Sequence, residues 1–298
     1  MLVDAHCHVD GSADSRGCAE YARNVRVCLM STNPQDAEML SVGIGLGNAV
    51  CAFGVHPWFS HWFYVGDAPG KLEHYSRVMQ ADAADEGFLS LVDELPDPID
   101  LDQYIRDHFP KGRWQVIGEV GLDKLFRVKR RDGTLSRWHV SMDHQRVVLD
   151  RFLDLAVRTG LSVSLHGVKA HGSLLDRCEK KLLNTPCNIC LHSYTGPADT
   201  LTALWIRKFG HERIFVSLSQ YINLDDKHRA VTENILDICP KTCILPETDF
   251  EINKHDAQRL EMSLRTVYNF IGQRWGIDNY EELMQTNFES FYGHSIAQ

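Results

Sequence analysis

The sequence has no long apolar run and no excess of basic charge. No stretch approaches the roughly 18 apolar residues that a membrane-spanning helix needs, so we expect no membrane partner. The 298 residues carry 31 basic and 40 acidic side chains, a formal net charge of −9, which argues against wrapping duplex nucleic acid by bulk attraction. A contact with nucleic acid would therefore depend on a local basic patch or on divalent cations, which reverse the field around acidic side chains.

Cysteines with the spacing of a secreted disulfide scaffold are also missing. The nine cysteines are scattered, and no apolar leader segment follows Met1, so we expect a reducing cytoplasmic location, with the nucleus as a second one. Cys187 and Cys190 form a C-x-x-C pair without a second, well-spaced pair, which favours buried strand-edge residues over a zinc or redox site. We expect a monomer.

The chain shows neither a repeat of fixed period nor a G-x-G-x-x-G motif after its first strand, which disfavours solenoids and open dinucleotide-binding sheets. Short β-type runs instead alternate with amphipathic helical segments, as in parallel α/β proteins. Eight such runs predict a TIM-like (β/α)8 barrel, in a single domain over residues 1–298. The predicted strands are Leu2–His8, Val25–Met30, Val50–Val55, Gln115–Val120, Leu161–His166, Asn188–His192, Ile214–Leu218 and Cys243–Asp249.

Predicted helices connect most of these strands. They are Gln35–Leu46, Met142–Thr159, Leu174–Leu183, Asp199–Phe209, Asp226–Ile238, Asp256–Trp275 and Tyr280–Phe291. Two connections are long: residues 57–113 after the third strand, with helices near Gly70–Ala84 and Leu101–Phe109, and residues 124–140 after the fourth. We interpret both insertions as loops on the barrel rim rather than as separate domains.

Side chains suited to metal binding stand at the carboxyl ends of the predicted strands, where α/β barrels build their active sites. His6 and His8 point to one face of the first strand because strand side chains alternate, and Asp4 on that face is placed to orient them. Imidazoles and carboxylates crowded at one barrel mouth are costly unless a cation compensates them. The predicted ligands are His6, His8, Glu119, His166, His192 and Asp249.

This ligand set supplies nitrogen and oxygen without a thiolate, which suits zinc, manganese or magnesium. Six ligands exceed the four of a tetrahedral ion, so we expect two divalent ions that share a bridging carboxylate. Two such ions lower the pKa of a bound water and clamp both oxygens of an in-line displacement. The sequence thus predicts a metal-dependent hydrolase.

Six short motifs surround these residues in a fixed order along the chain. They are Asp4–Asp10, Gly54–Pro57, Ile117–Asp123, Leu165–His166, Leu191–Gly196 and Glu247–Asp249. Their types and order resemble the TatD family of metal-dependent deoxyribonucleases, over about residues 2–292. Each motif alone is weak, but six in order are specific, and the divergence is similar to that of fungal relatives.

The resemblance implies a barrel enzyme that cleaves phosphodiester bonds of DNA, single-stranded or at its ends, often as an exonuclease. The ligands of its two ions would be His6, His8 and Asp249 for one, His166 and His192 for the other, and Glu119 between them. Asp249 would also take the proton of the attacking water, so Asp249 and Glu119 are the expected catalytic residues. His56 matches a position near the substrate.

The loops that would meet the substrate depart from the family's pattern. Lys124 stands where an aromatic residue is usual, and Phe250 and Glu251 follow Asp249 in place of a small residue and a proline. These departures concern the wall that would meet the substrate and leave all six predicted ligands in place.

Basic and aromatic side chains in the insertions give further candidates. Arg127 begins a basic segment, residues 127–131, on the active-site face, which could receive a phosphate backbone or be a solvated loop. Lys124 could likewise contact a phosphate or point to water. His56, Lys124 and Arg127 are the candidate substrate-binding residues. The aromatic residues between 58 and 64 are expected to pack the long loop onto the barrel rim in preference to stacking on bases.

Two alternative functions stay open. One is a small-molecule amidohydrolase or lactonase on the same barrel; some relatives of that kind carry a lysine at the end of the fourth strand, where Glu119 stands here, so a nuclease is favoured. The other is a non-catalytic interaction protein, whose signature would be the loss of ligands, and none of the six is lost.

Overall fold

The computed structural model describes residues 1–11, 16–42, 49–252 and 257–292, with the side chains of 16–19 excepted. Its strands are β1 Leu2–His8, β2 Val25–Met30, β3 Val50–Phe53, β4 Phe63–Tyr64, β5 Ile99–Asp100, β6 Trp114–Asp123, β7 Ser162–Val168, β8 Ile189–Leu191, β9 Ile214–Leu218 and β10 Ile244–Pro246. Eight of them form one sheet in the order β1-β2-β3-β6-β7-β8-β9-β10, with parallel pairs throughout. The short strands β4 and β5 pair with each other.

The sheet closes on itself between β1 and the segment that follows β10. The backbone N–H of His8 donates to the carbonyl of Phe250 at 2.7 Å, and that of Asp249 donates to the carbonyl of His6 at 2.9 Å. Ile252 N–H donates to the His8 carbonyl at 2.9 Å. The eight-stranded barrel predicted from the alternation of strands and helices is thereby confirmed.

The helices are α1 Arg16–Asn24, α2 Pro34–Ser41, α3 Lys71–Met79, α4 Glu86–Glu94, α5 Leu101–His108, α6 Met142–Thr159, α7 His171–Leu182, α8 Ala198–Thr200, α9 Arg207–Phe209, α10 Gln220–Asn223, α11 Arg229–Ile238, α12 Ala257–Trp275 and α13 Tyr280–Tyr292. A π-helical turn, Leu201–Ile206, joins α8 to α9, and 3₁₀ turns span Pro57–Trp62, Phe109–Lys111 and Lys241–Cys243. No helix in the described ranges combines the length and apolar character required to cross a membrane.

Helix α6 shows why its bounds were predictable. Its N-cap Ser141 accepts a hydrogen bond from the backbone N–H of His144 at 3.2 Å, and Gly160 ends it with φ 72°, a conformation that glycine adopts at no steric cost. The predicted helix Gln35–Leu46 ends at Ser41 instead; residues 43–46 of that prediction, and Asp256 of another, lie outside the described residues.

Helices α1, α4 and α10 were not predicted. α1 buries only Tyr21 and Ala22 among its described side chains, which is too few to give a clear apolar period. α4 does have the helical spacing, with Phe88, Leu91 and Val92 buried. It lies within an acidic, proline-containing stretch whose composition is typical of a loop.

The last helix, α13, covers the amino ends of the barrel strands. The side-chain amide of Asn287 donates to the carbonyl of Ile244 at 2.8 Å, where β10 begins. Ser162 Oγ, at the start of β7, donates to the carbonyl of Phe291 at 2.7 Å, and so does the amide of Asn188, next to β8, at 3.1 Å. Since this end of the barrel is filled, the carboxyl ends of the strands form its open mouth.

The two insertions pack against each other over this mouth. Residues 71–95 and 126–140, which we call the cap, share a hydrophobic cluster separate from the barrel core. Its buried members are Tyr75, Val78, Met79, Phe88, Leu91, Val92, Leu95, Val128 and Val140. An ion pair between Arg130 and Glu94, 2.8 Å from Nη1 to Oε1, also joins the two parts. The sequence indicated two rim loops, but it gave no sign that they pack together.

Three buried histidines lie where the cap meets the barrel. His74 Nε2 donates to the carbonyl of His61 at 2.8 Å, and His144 Nε2 donates to the carbonyl of Ser60 at 2.9 Å. Burial lowers the pKa of His61 to about 3 and that of His144 to about 4. These imidazoles are therefore neutral in the folded protein at pH values where an exposed histidine is already protonated.

This difference predicts acid lability with a definite sign. Below the unfolded-state pKa of about 6.5, these histidines bind protons in the unfolded chain but not in the folded one. The free energy of unfolding therefore falls as pH drops from about 6.5 towards 4. The expected slope is roughly 1.4 kcal/mol per pH unit for each such histidine. Urea unfolding between pH 7 and 4.5 measures this slope. The His144→Gln variant, whose amide can still donate to Ser60, should have a shallower slope than wild type; equal slopes would contradict the assignment.

Candidate metal centre

The strand ends bring all six predicted ligands to one point of the barrel mouth. Within the barrel strands or directly after them stand His6 and His8 from β1, Glu119 from β6, His166 from β7, His192 after β8 and Asp249 after β10. Their burial is graded: His6 is fully buried and Glu119 is 1% exposed, whereas the Asp249 side chain is 21% exposed. The carboxylate in the middle is therefore sealed from solvent, and the one at the edge is accessible.

The two oxygens of Glu119 face two different pairs of imidazoles. Oε2 lies 3.2 Å from His6 Nε2 and 3.4 Å from His8 Nε2. Oε1 lies 2.8 Å from His166 Nδ1 and 3.3 Å from His192 Nε2. One carboxylate thus stands between two nitrogen pairs, which is the arrangement of a bridging ligand.

Asp249 completes the first pair. Its Oδ1 lies 3.1 Å from His8 Nε2 and 3.9 Å from His6 Nε2. The residue has a left-handed backbone, φ 58°, a region in which Asp and Asn are tolerated better than most side chains. The hydrogen bond from its N–H to the His6 carbonyl holds this conformation in place.

Two glycines of the sequence motifs allow the strands to approach closely around Glu119. A Cβ on Gly54 would lie 2.6 Å from the carbonyl carbon of Gly118. A Cβ on Gly121, whose φ is 159°, would lie 2.0 Å from the carbonyl oxygen of His166. Both distances are shorter than non-bonded atoms allow, so only glycine fits where β3 and β7 flank the bridging carboxylate.

The cluster fits divalent cations by its donor atoms and by its charge. His6 and His192 are stacked with ring centroids 3.8 Å apart, and their Nε2 atoms both face Glu119. Three groups have ligand atoms that all lie within 4.8 Å of one another: His6, Glu119 and His192; His6, His8 and Asp249; His56, Glu119 and His166. Nitrogen and carboxylate oxygen without sulfur suit zinc or manganese.

The imidazoles and carboxylates of the pocket shift one another's pKa values. Burial alone would lower the pKa of His8, but its hydrogen bond to Asp249 and the charge of Glu119 raise that pKa to about 9. Burial opposes ionisation of Glu119, yet the surrounding imidazoles, His56 foremost, hold its pKa well below the usual range. An ionised carboxylate in a buried site is stabilised by cations, and divalent metal ions supply that charge.

Residues that the sequence did not single out orient the imidazoles. Glu247 Oε1 accepts from His192 Nδ1 at 3.1 Å and from the backbone N–H of Ser193 at 3.0 Å, which turns Nε2 of that ring towards Glu119. Ser164 Oγ lies 3.1 Å from His6 Nδ1. Such partners fix the tautomer and direction of a metal-binding histidine. Glu247 has a signal in the sequence, an acidic residue two positions before Asp249; Ser164 has none.

Asp4 has a different role from the one expected. Its carboxylate does not touch the imidazole of His6; it accepts from the backbone N–H of that residue at 3.3 Å. It also accepts from Thr248 N–H at 3.0 Å, from Thr248 Oγ1 at 2.6 Å and from the Tyr21 hydroxyl at 3.1 Å. Asp4 therefore ties β1 to the segment that carries Asp249, and it acts on the site through the backbone.

A cavity of about 570 Å³ opens over the cluster. His56 lies in its wall, with Nε2 3.4 Å from Glu119 Oε1 and Nδ1 accepting from the backbone N–H of Trp58 at 3.1 Å. Lys124 and Arg127 are exposed and stand outside the lining residues, so the structure does not place these two expected contacts at the substrate cavity. The lysine that does line it is Lys129.

Comparison with known proteins agrees with these findings. The sequence matches the family described as TatD related DNase over residues 3–293. A Saccharomyces cerevisiae protein named as an uncharacterized deoxyribonuclease is 42% identical over 269 residues, which cover 86% of this chain and 85% of that protein. A Schizosaccharomyces pombe protein named Cut9-interacting protein scn1 is 24% identical over 341 residues, covering 97% of this chain and 98% of that protein.

The solved structure of a TatD homologue from Escherichia coli K12 superposes with a TM-score of 0.63 at 20% identity, covering 98% of both chains, which supports the barrel fold. The family match spans nearly the whole chain, and the sequence identity to the budding-yeast relative is well above the identity expected from a shared fold alone. The prediction of a metal-dependent hydrolase that acts on ester bonds is confirmed. This chain belongs to the TatD-related DNase family.

Proposed function

We propose that the protein hydrolyses phosphodiester bonds at the ends of DNA strands with the help of two divalent ions. The observation that supports this most is the placement of Glu119, whose two oxygens face two separate imidazole pairs. A single tetrahedral site would not need six ligands or a carboxylate turned to both sides. In two-ion sites that catalyse phosphodiester displacement, the two neighbouring ions stabilise the attacking and the leaving oxygen.

In this proposal the residues divide the work by position. The first ion would be held by His6, His8 and Asp249, the second by His166 and His192, and Glu119 would be shared between them. Bound divalent ions lower the pKa of a water molecule and offset negative charge on the phosphate. The protein's own groups fix the ligand directions and leave the cavity open on the side of Asp249.

Asp249 is the carboxylate best placed to accept the proton of the attacking water. Its side chain is 21% exposed, whereas that of Glu119 is 1% exposed, so water reaches only the former. Burial acts to raise its pKa, but His192 and the hydrogen bond from His8 lower it to about 2. Asp249 is therefore ionised at neutral pH and can accept the proton of the attacking water.

His56 lies in the cavity wall and directs its Nε2 towards Glu119 Oε1, 3.4 Å away. Its Nδ1 accepts from Trp58, so in the neutral ring the proton is on Nε2. Burial lowers its pKa to about 4, which keeps the ring neutral at working pH. The acceptor that this N–H faces is the carboxylate of Glu119.

Small-molecule hydrolysis is the second candidate, and the charge of the cavity wall favours it. Besides the ligands, the wall carries Asp10, Asp36, Asp123 and Glu251, an acidic surface that suits an uncharged ester or cyclic amide. The family match favours DNA. The fission-yeast relative is named for an interaction, but all six candidate ligands are present here, so a purely non-catalytic role has less support.

A degradation assay on single-stranded DNA tests the proposal. An oligonucleotide labelled at its 5′ or 3′ end is incubated with chelated protein and with protein resupplied with zinc, manganese or magnesium. We expect single nucleotides to be released from one end, only when metal is present. The same preparations are offered a lactone and a cyclic amide; turnover of these with intact DNA under every metal would reject the nuclease in favour of the second candidate.

A further inference from the structure

We propose that Lys129 binds a phosphate of the DNA strand next to the one that is cleaved, so that the site selects a polynucleotide chain over an isolated phosphodiester. This inference rests on the proposed function and names a part of its substrate site. It concerns the cap, whose second segment carries Lys129 to the cavity. The argument combines the hairpin that presents the side chain, the ring that holds it and the charge of the wall around it.

A small hairpin in the cap sets the direction of Lys129. The backbone N–H of Ser136 donates to the carbonyl of Val128 at 2.9 Å, and that of Arg130 donates to the carbonyl of Thr134 at 2.8 Å; between them Lys129 bridges to Leu135. Side chains alternate along such a segment. Val128 is fully buried in the cap cluster, so Lys129 points the other way, into the cavity wall.

The ammonium lies over an aromatic ring that is itself immobilised. Lys129 Nζ is 5.0 Å from the ring centroid of Trp58. Trp58 is stacked on Phe126, 5.1 Å away at 15°, and its indole N–H donates to Asp123 Oδ2 at 2.8 Å. This packing agrees with the expectation that the aromatic residues after Pro57 hold the loop on the rim.

The same ring connects Lys129 to the metal centre. The Trp58 centroid is 6.5 Å from that of His166, and Asp123 Oδ2 is 3.5 Å from His166 Nε2. Lys129 is thus one aromatic ring away from a candidate metal ligand. The cation–π contact with Trp58 holds the flexible side chain of Lys129 in place. It leaves the N–H groups of the ammonium available for a phosphate oxygen.

Charge singles out Lys129 among its neighbours. Of the described residues that line the cavity, it is the only lysine or arginine, and within the described ranges it forms no salt bridge. The adjacent Arg130 is paired with Glu94. Although the wall is acidic, none of the carboxylates in the described ranges forms an ion pair with Lys129, so its ammonium can bind an anion that enters the cavity. A phosphate beyond the scissile one supplies that anion, and a small uncharged substrate does not.

Kinetics on two substrates test the inference. A single-stranded oligonucleotide carries neighbouring phosphates, whereas bis(p-nitrophenyl) phosphate carries only the scissile one. For Lys129→Ala we expect KM for the oligonucleotide to rise about tenfold, as for a lost hydrogen bond to a charged group, with kcat within about twofold. KM for bis(p-nitrophenyl) phosphate should not change. Lys129→Arg should restore most of the affinity, and Lys180→Ala, an exposed lysine on α7, should match wild type.

Binding without turnover gives an independent readout. Fluorescence anisotropy of a labelled oligonucleotide is measured with Asp249→Asn protein, with and without Lys129→Ala, over a range of salt. The second change should weaken binding about tenfold and lower the slope of log K against log salt by about 0.7, the value for one phosphate of a single strand. An unchanged slope, or a KM that rises equally for both substrates, would overturn the role of Lys129. Wild-type protein that binds DNA through Lys129 but cleaves neither substrate would instead refute the proposed hydrolysis.

Discussion

The Glu119→Gln protein is expected to lose both divalent ions and at least about 10⁴-fold in kcat, because two-ion sites lower the pKa of water from 15.7 to about 7 and that activation would disappear. A glutamine offers one carbonyl oxygen, and its amide N–H groups would face the imidazoles on the other side. Since Oε1 and Oε2 each contact a separate histidine pair, neither ion would keep its shared ligand. Metal content by elemental analysis after reconstitution and dialysis measures the loss.

Single-ligand variants are the matched comparison for this prediction. His6→Ala and His166→Ala each remove a ligand from one side of Glu119, so each should reduce metal content by about one ion and leave part of the other site. The rise in thermal stability on adding metal should be largest for wild type, smaller for the two histidine variants and smallest for Glu119→Gln. The reason is that a ligand bound only to the folded state stabilises it by about 2.7 kcal/mol at a hundred times its Kd. If Glu119→Gln kept wild-type metal content, the bridging assignment would be wrong.

The Asp249→Asn protein is expected to fold normally, to retain the ion on the His166 side and to lose about 10³-fold in kcat, within the range for removal of a general base. Asparagine has the same shape and tolerates the left-handed backbone of this position, so the change removes a proton acceptor and a charge without adding backbone strain. Cleavage of single-stranded DNA at saturating metal measures the rate.

Controls separate this effect from a general loss of structure. Asp176→Asn makes the same chemical change on the exposed surface of α7 and should keep the wild-type rate. Asp249→Ala should be less stable than Asp249→Asn, because alanine is poorly accommodated at φ 58°. A normal rate in Asp249→Asn would assign the proton acceptor elsewhere in the cavity.

The barrel and the convergence of the candidate ligands could be predicted because each depends on a local signal. β1, β2 and β9 begin and end at the residues that the sequence indicated, since each is a short apolar run between breaks. Parallel strands place their carboxyl ends on one rim, so motifs at those ends converge whatever the loops between them. His6 and Asp249 are predicted to meet for that reason, although nearly the whole chain separates them.

The parts that escaped prediction depend on contacts between distant segments. The cap forms because an apolar face at 71–95 meets another at 126–140, and neither segment shows where its partner lies. Lys129, within the predicted basic segment 127–131, reaches the cavity because side chains alternate along a short hairpin, and no spacing in the sequence distinguishes it from Lys124 and Arg127, which do not. Ser164 orients His6 across the barrel, a relation that no sequence spacing encodes. The single domain, the monomeric state and the cytoplasmic location stay predictions.

The seam between β1 and the end of β10 makes the enzyme's competence a late event in its biosynthesis. The hydrogen bonds from His8 to Phe250 and from Asp249 to His6 join two segments that are far apart in the chain. At about 5–20 residues per second a nascent chain spends roughly 10–50 s with His6 and His8 made and Asp249 still missing. During that interval the set of candidate ligands and the proposed proton acceptor are incomplete, so on the proposed function hydrolysis would begin only after the seam has formed.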